Sequence, residues 1–100
     1  MVSIEVRHNE ERIIGFTIVE HCESRVCAAV SFLSQNTVNS VKVLTDEPFI
    51  CDYKPEGGFL KWDREGDSPE ADLLLESLLL GLRCLEESYG EEVSLVYAMA

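Results

Sequence analysis

No stretch of this 100-residue sequence is apolar for long enough to cross a bilayer. The densest run, Leu73 to Leu85, is interrupted by Glu76, Ser77, Gly81 and Arg83. The first eight residues, Met1 to His8, alternate as a strand does and hold no signal-peptide core. A soluble protein that stays in the cytoplasm is expected, with no membrane partner. Cations are scarce as well: eight Lys and Arg stand against nineteen Asp and Glu, a formal charge of −11. A phosphate backbone is gripped by Lys and Arg that displace its counterions, so direct nucleic-acid binding is not expected. Linkers, repeats and low-complexity segments are missing too. With 46% hydrophobic residues the chain can fill one modest core, and a single domain over residues 1–100 is expected.

The four cysteines, Cys22, Cys27, Cys51 and Cys84, follow no regular spacing. Without a secretory leader they read as thiols in a reducing compartment. His21, Cys22 and Cys27 crowd together but lack the second ligand pair of a structural zinc site, so neither a metal nor another cofactor is expected. The acid is unevenly spread. From Asp63 onward ten carboxylates are met only by Arg64 and Arg83. Such a surface keeps a protein soluble and would also steer basic partners.

Val2, Ile4 and Val6 alternate with Ser3, Glu5 and Arg7, the period of a half-buried strand. Ile14, Phe16 and Ile18 repeat the pattern after the polar turn Asn9-Glu10-Glu11, giving a hairpin over residues 2–20. From Val26 the spacing changes to three and four, through Val30, Leu33, Thr37, Val41 and Leu44, one face of a helix. Ser24 is its expected N-cap and Cys27 its third position, with fraying before Pro48. Two short aromatic-rich strands, 49–53 and 59–62, flank the turn Lys54-Pro55-Glu56-Gly57-Gly58. Ser68 and Pro69 open a second helix whose apolar face is Ala71, Leu74, Leu75, Leu78, Leu82, Leu85 and Tyr89. Cys51 and Cys84 read as core, and a last strand covers 93–98. The order ββαββαβ predicts an α+β, two-layer sandwich with both helices on one face of a five-stranded mixed sheet.

Chemistry concentrates between Glu20 and Ser31. A cysteine nucleophile needs an imidazole and donors for an oxyanion. Cys27, in the first turn of a helix, meets unsatisfied backbone N–H groups and the positive end of the dipole, which favour a thiolate. His21 stands at the preceding strand end, a short loop away. Ser31 lies one turn after Cys27 on the same helix face, able to bond within the site or to a carbonyl. By themselves these residues leave two roles open, because a cysteine among Val26, Ala28, Ala29 and Val30 also reads as a small core side chain.

The block Val26-Cys27-Ala28-Ala29-Val30-Ser31 after a histidine, the Asn39-containing helix, the Leu-rich second helix and the element order resemble the Prp family of bacterial ribosomal-processing cysteine proteases. The resemblance spans essentially the whole chain. It implies a cysteine endopeptidase that trims an N-terminal extension from a large-subunit ribosomal protein, with His21 as general base and acid and Cys27 as nucleophile. Glu20, Ser24 and Ser31 are candidate supporting residues. It further implies a basic ribosomal peptide as partner and a homodimer, for which Leu73, Leu79 and Leu80 offer a seam. Three positions depart from the family pattern. Glu20 replaces its glycine, Cys22 its alanine and Ser24 its Asp, and the His–Cys loop is shorter and lacks its glycine. A relative that keeps the fold and binds its ribosomal partner without cleaving it is the alternative expectation.

Overall fold

The computed structural model describes residues 1–20 and 25–99. The elements run β1 (Val2–His8), β2 (Ile13–Glu20), α1 (Arg25–Leu44), β3 (Phe49–Tyr53), β4 (Phe59–Arg64), α2 (Pro69–Ser88) and β5 (Val93–Met99). The strands form one sheet in the order β3-β4-β2-β1-β5. β5 runs parallel to β1, and every other pair is antiparallel, so the sheet is mixed as expected.

Pleating explains which residues are inside. Val2, Ile4 and Val6 of β1 are buried, and their register partners Glu20, Ile18 and Phe16 lie on the same side of β2. Ile18 in turn faces Leu60, and Phe16 faces Trp62. Both helices cover this side: Val26, Cys27, Val30 and Val41 of α1 join Ala71, Leu75, Leu78, Leu79 and Leu82 of α2 in one core cluster. Trp62 is fully enclosed, stacked on Phe16 at 5.6 Å and tilted against Phe49 at 5.5 Å between ring centroids. Strand direction makes the helices antiparallel. α1 leaves the Glu20 end of the sheet and delivers β3 beside Arg64, whereas α2 starts after Arg64 and returns to Val93, which pairs with Val2. They meet closely at Gly81, where a Cβ would stand 3.1 Å from a methyl of Leu33.

Local signals set the helix ends. Ser68 caps α2 by accepting from the Ala71 N–H at 3.2 Å, with Pro69 first in the helix and Glu70 and Asp72 in its first turn. Cys27 is the third residue of α1, as expected, while the Ser24 cap lies outside the described residues. Five side chains differ from their sequence reading. At the start of β2 a register shift skips Ile14, so Ile13 is buried in its place. Leu79 is buried, because its position faces the floor formed by Val6, Ile13 and Phe16. Cys84 is exposed, two residues beyond buried Leu82 and so on the outer face of α2. Tyr89 and Leu44 are exposed where their helices end.

β4 extends to Arg64, two residues past its expected end, because that side chain is held from several directions. The buried guanidinium donates Nε to Glu47 Oε1 at 2.9 Å, with a second, shorter bond from Nη2, and Nη1 reaches Asp72 and the Ile13 carbonyl. Nη2 also reaches the Ser68 carbonyl at 3.0 Å, and the Ser68 N–H donates to Glu47 Oε1 at 3.1 Å. Burial pulls the Arg64 pKa down, but its bonds to Asp72 and Glu47 outweigh that and raise it. Removing one partner of a buried pair strands the other charge, which costs about 3–5 kcal/mol. Arg64→Met is expected to lower unfolding stability by about that amount, measured by urea denaturation.

Candidate active site

Cys27 sits in the first turn of α1 with 5% of its surface exposed, on the edge of the core cluster. The first four N–H groups of a helix have no partner inside it, so the turn that carries this thiol is also a source of oxyanion donors. One turn further on, Ser31 donates its hydroxyl to Glu20 Oε1 at 2.5 Å. Glu20 is the last residue of β2, and its own N–H donates to the Gly58 carbonyl at 3.0 Å. A strand end, the start of a helix and the tip of the β3–β4 hairpin are thereby tied at one place. Gly57 and Gly58 make the tip possible, since both adopt φ near +90° (89° and 87°), where side chains are strained.

Glu20 and Ser31 form one end of a groove of about 630 Å³. One wall is the flank of α1, with Gln35, Val38, Asn39 and Lys42 continuing the row from Ser31. The other is made by the core-facing side chains Phe49, Cys51 and Tyr53 of β3, Leu60 of β4, and the turn around Lys54. Lys42 and Lys54 are set against Glu20, so the groove itself is not acidic. The carboxylates from Asp63 onward lie outside it, at the end of β4, on the link to α2, on α2 itself and at Glu91 and Glu92. Burial, and then the neighbouring Asp52 carboxylate, push the Cys51 thiol above its ordinary pKa, so Cys51 lines the groove as a neutral group.

Of the residues singled out from sequence, Glu20, Cys27 and Ser31 fall together at the β2–α1 junction. His21 and Ser24 lie outside the described residues. Cys27 presents the nucleophile type that acyl transfer needs; it does not itself line the groove, an extended, part-apolar trough that begins one helical turn on, at Ser31. Sequence reading missed the groove walls. The polar row Ser31, Gln35, Asn39, Lys42 follows helical spacing and was visible as the solvent flank of α1. Nothing local shows that the β3–β4 turn would rise opposite it.

Known proteins match this chain over nearly its whole length. The family model described as cysteine protease Prp matches residues 1–94. The ribosomal processing cysteine protease Prp of Staphylococcus aureus is 29% identical over 105 residues, covering 97% of this chain and 99% of that protein. A crystal structure of the S. aureus protease with a covalently linked product peptide superposes with a TM-score of 0.92, at 28% identity over 98% of this chain and all of that one. Its complex with a substrate peptide gives 0.90 at 26% identity, with the same coverage. The chain belongs to the Prp family of cysteine proteases.

Proposed function

We propose that this chain is a cysteine endopeptidase that removes an N-terminal extension from a large-subunit ribosomal protein. The observation that carries the reading is the position of Cys27 in the first turn of α1, one helical turn before Ser31, which with Glu20 closes the near end of a peptide-sized groove. The extension would lie along the groove. Cys27 Sγ attacks the scissile carbonyl, and the first N–H groups of α1 stabilise the oxyanion. The carbon–nitrogen bond then breaks, with His21 giving a proton to the leaving amine, and water hydrolyses the thioester with His21 as base. Glu20 and Ser31 act as positioning residues. Their bond fixes the first two turns of α1 against the end of β2, the segment that leads directly into His21.

The substrate reading is supported by the relatives, named ribosomal processing proteases and crystallised with peptides. The acidic exterior suits a basic ribosomal protein, and the cytoplasm is where such a protein is made. No helix among the described residues is long and apolar enough to cross a membrane. For a homodimer, Leu73 and Leu80 are available on the outer face of α2, 72% and 62% exposed, whereas Leu79 is not.

The first test is cleavage of a peptide copied from the extension, together with iodoacetamide labelling of Cys27 followed by mass spectrometry. Cys27→Ala is expected to lower turnover on the order of 10⁴-fold, and His21→Ala to slow both turnover and labelling of Cys27 at neutral pH. Cys51 serves as internal reference: with its pKa raised, its labelling stays slow at neutral pH and climbs only in alkali. No cleavage, with Cys27 labelling indifferent to His21, would instead favour a binding protein that kept the fold.

The supporting pair makes a second prediction. Ser31→Ala and Glu20→Gln are each expected to reduce kcat/KM, and the double variant to do no worse than the weaker single one. A double-mutant cycle should give a coupling of about 1–2 kcal/mol, in the range of a hydrogen bond to a charged group. Strictly additive losses would remove the pair from the mechanism.

A further inference from the structure

At the end of the sheet away from Glu20, where His8 pairs with Ile13 and Met99, a second cavity of about 390 Å³ opens beside α2. Its floor is apolar, formed by buried Val6, Ile13 and Leu79. Its rim is cationic, in a chain of net charge −11. Arg7 and Arg64 are occupied in ion pairs with Glu5, Asp63, Glu47 and Asp72, and Lys42 and Lys54 line the groove. Arg12 and Arg83 converge here instead, and among the described residues Glu76 is the one carboxylate lining the cavity.

Both guanidiniums keep donors to spare. Arg83 Nε donates to the Tyr97 hydroxyl at 2.9 Å, and its guanidinium lies 5.7 Å from the centre of that ring. Among the described residues its two terminal nitrogens make no hydrogen bond, and the carboxylates of Glu76 and Glu86 act on its charge from a distance. Arg12 Nη1 donates to the Asp67 carbonyl at 3.2 Å. Its Nη2 is 3.8 Å from Glu11, whose side chain is 80% exposed, a surface contact of little strength. Beside them His8 and Tyr97 meet edge to face, ring centroids 6.4 Å apart, and form an aromatic wall.

We propose that this cavity binds a phosphate carried on a planar ring, the chemistry of a nucleoside monophosphate. Arg12 and Arg83 hold the phosphate through paired N–H donors, the geometry for which guanidinium is suited. The ring lies over the apolar floor against His8, because the Tyr97 ring is already met by the Arg83 guanidinium, and stacking on one aromatic side chain tolerates any base. The cavity has the volume of a small-ligand site. The surrounding carboxylates, Glu10 and Glu11 on the turn and Glu76 on α2, repel a longer polyanion, so the ligand is a single nucleotide rather than a strand.

The test is a titration of the ¹⁵N-labelled chain, followed by amide shifts, with adenosine monophosphate, adenosine, inorganic phosphate and a short oligoadenylate. Saturable shifts around His8, Arg12, Arg83 and Tyr97 are expected with the monophosphate, at lower concentration than with adenosine or phosphate. Arg83→Gln and Arg12→Gln should each weaken it about tenfold, the loss of one charge-assisted contact, and the same spectra report whether each variant is folded. A monophosphate bound no better than inorganic phosphate, affinity unchanged in both variants, or tighter binding of the oligonucleotide would each overturn the proposal. None of these outcomes depends on Cys27, so they are separate from the fate of the protease reading.

Discussion

A guanidinium carries five N–H donors and no acceptor, and withdrawn from water it must find an acceptor for nearly every one of them. Arg64 does so with Glu47, Asp72 and the carbonyls of Ile13 and Ser68. These partners come from four segments: the link between α1 and β3, the start of β2, the residue before α2, and its first turn. Both crossings between sheet and helix layer at this end therefore pass through one side chain. Desolvating Arg64 and Glu47 makes such a knot a poor source of net stability, but it allows few alternative arrangements of the segments it joins. Even its surroundings are constrained. A Cβ on Gly66 would lie 2.3 Å from Glu47 Oε2, so only glycine lets the chain pass.

The groove inherits its shape from that knot. α1 is fixed at its far end by the Glu47 link and at its near end by Ser31 on Glu20, so its flank stands at a set distance from β3 and β4. Phe49 lines the groove and packs on Trp62, which in turn stacks on Phe16, so the aromatic side chains behind the trough leave it no space to collapse into. Conformational freedom is spent only at the hairpin tip, where the two glycines turn the chain. A rigid wall, a rigid floor and one tight turn are what a site needs when it must hold an extended peptide with its carbonyl beside a fixed thiol.

What the sequence revealed was whatever depends on near neighbours. The alternation in β1, its continuation through Phe16 and Ile18 of β2, the three-four spacing from Val26 and the Ser68-Pro69 start of α2 each follow from a few adjacent residues and appear in the fold, whereas the bulge that buries Ile13 in place of Ile14 does not show in the pattern. Cys27 at the third position of α1 was legible for the same reason. The Arg64 knot was not, because Glu47 lies 17 residues before Arg64 and Asp72 eight after it, in segments that local spacing does not join. Their meeting is a product of topology. Ser31 with Glu20 is similar, eleven residues apart and joined only once β2 and α1 are in place. Cys84 shows the opposite failure: its type favours burial, but two residues past Leu82 the helix has turned it outward.

Charge, finally, acts at two ranges here and with different effect. The excess of carboxylates lies on α2 and the surfaces around it, and its field reaches about a Debye length, ~8 Å at physiological salt. That field governs which molecules approach, and for the basic substrate proposed above it raises the rate of encounter. Inside the groove the balance is different, with Lys42 and Lys54 opposed to Glu20 and the neutral Cys51 thiol on the wall. A segment lying there is read by contact with apolar side chains and two separate cations. Under the proposed function, attraction to this protein and fit to its groove would therefore draw on different features of the substrate: positive charge for the acidic exterior, and apolar contact for the trough.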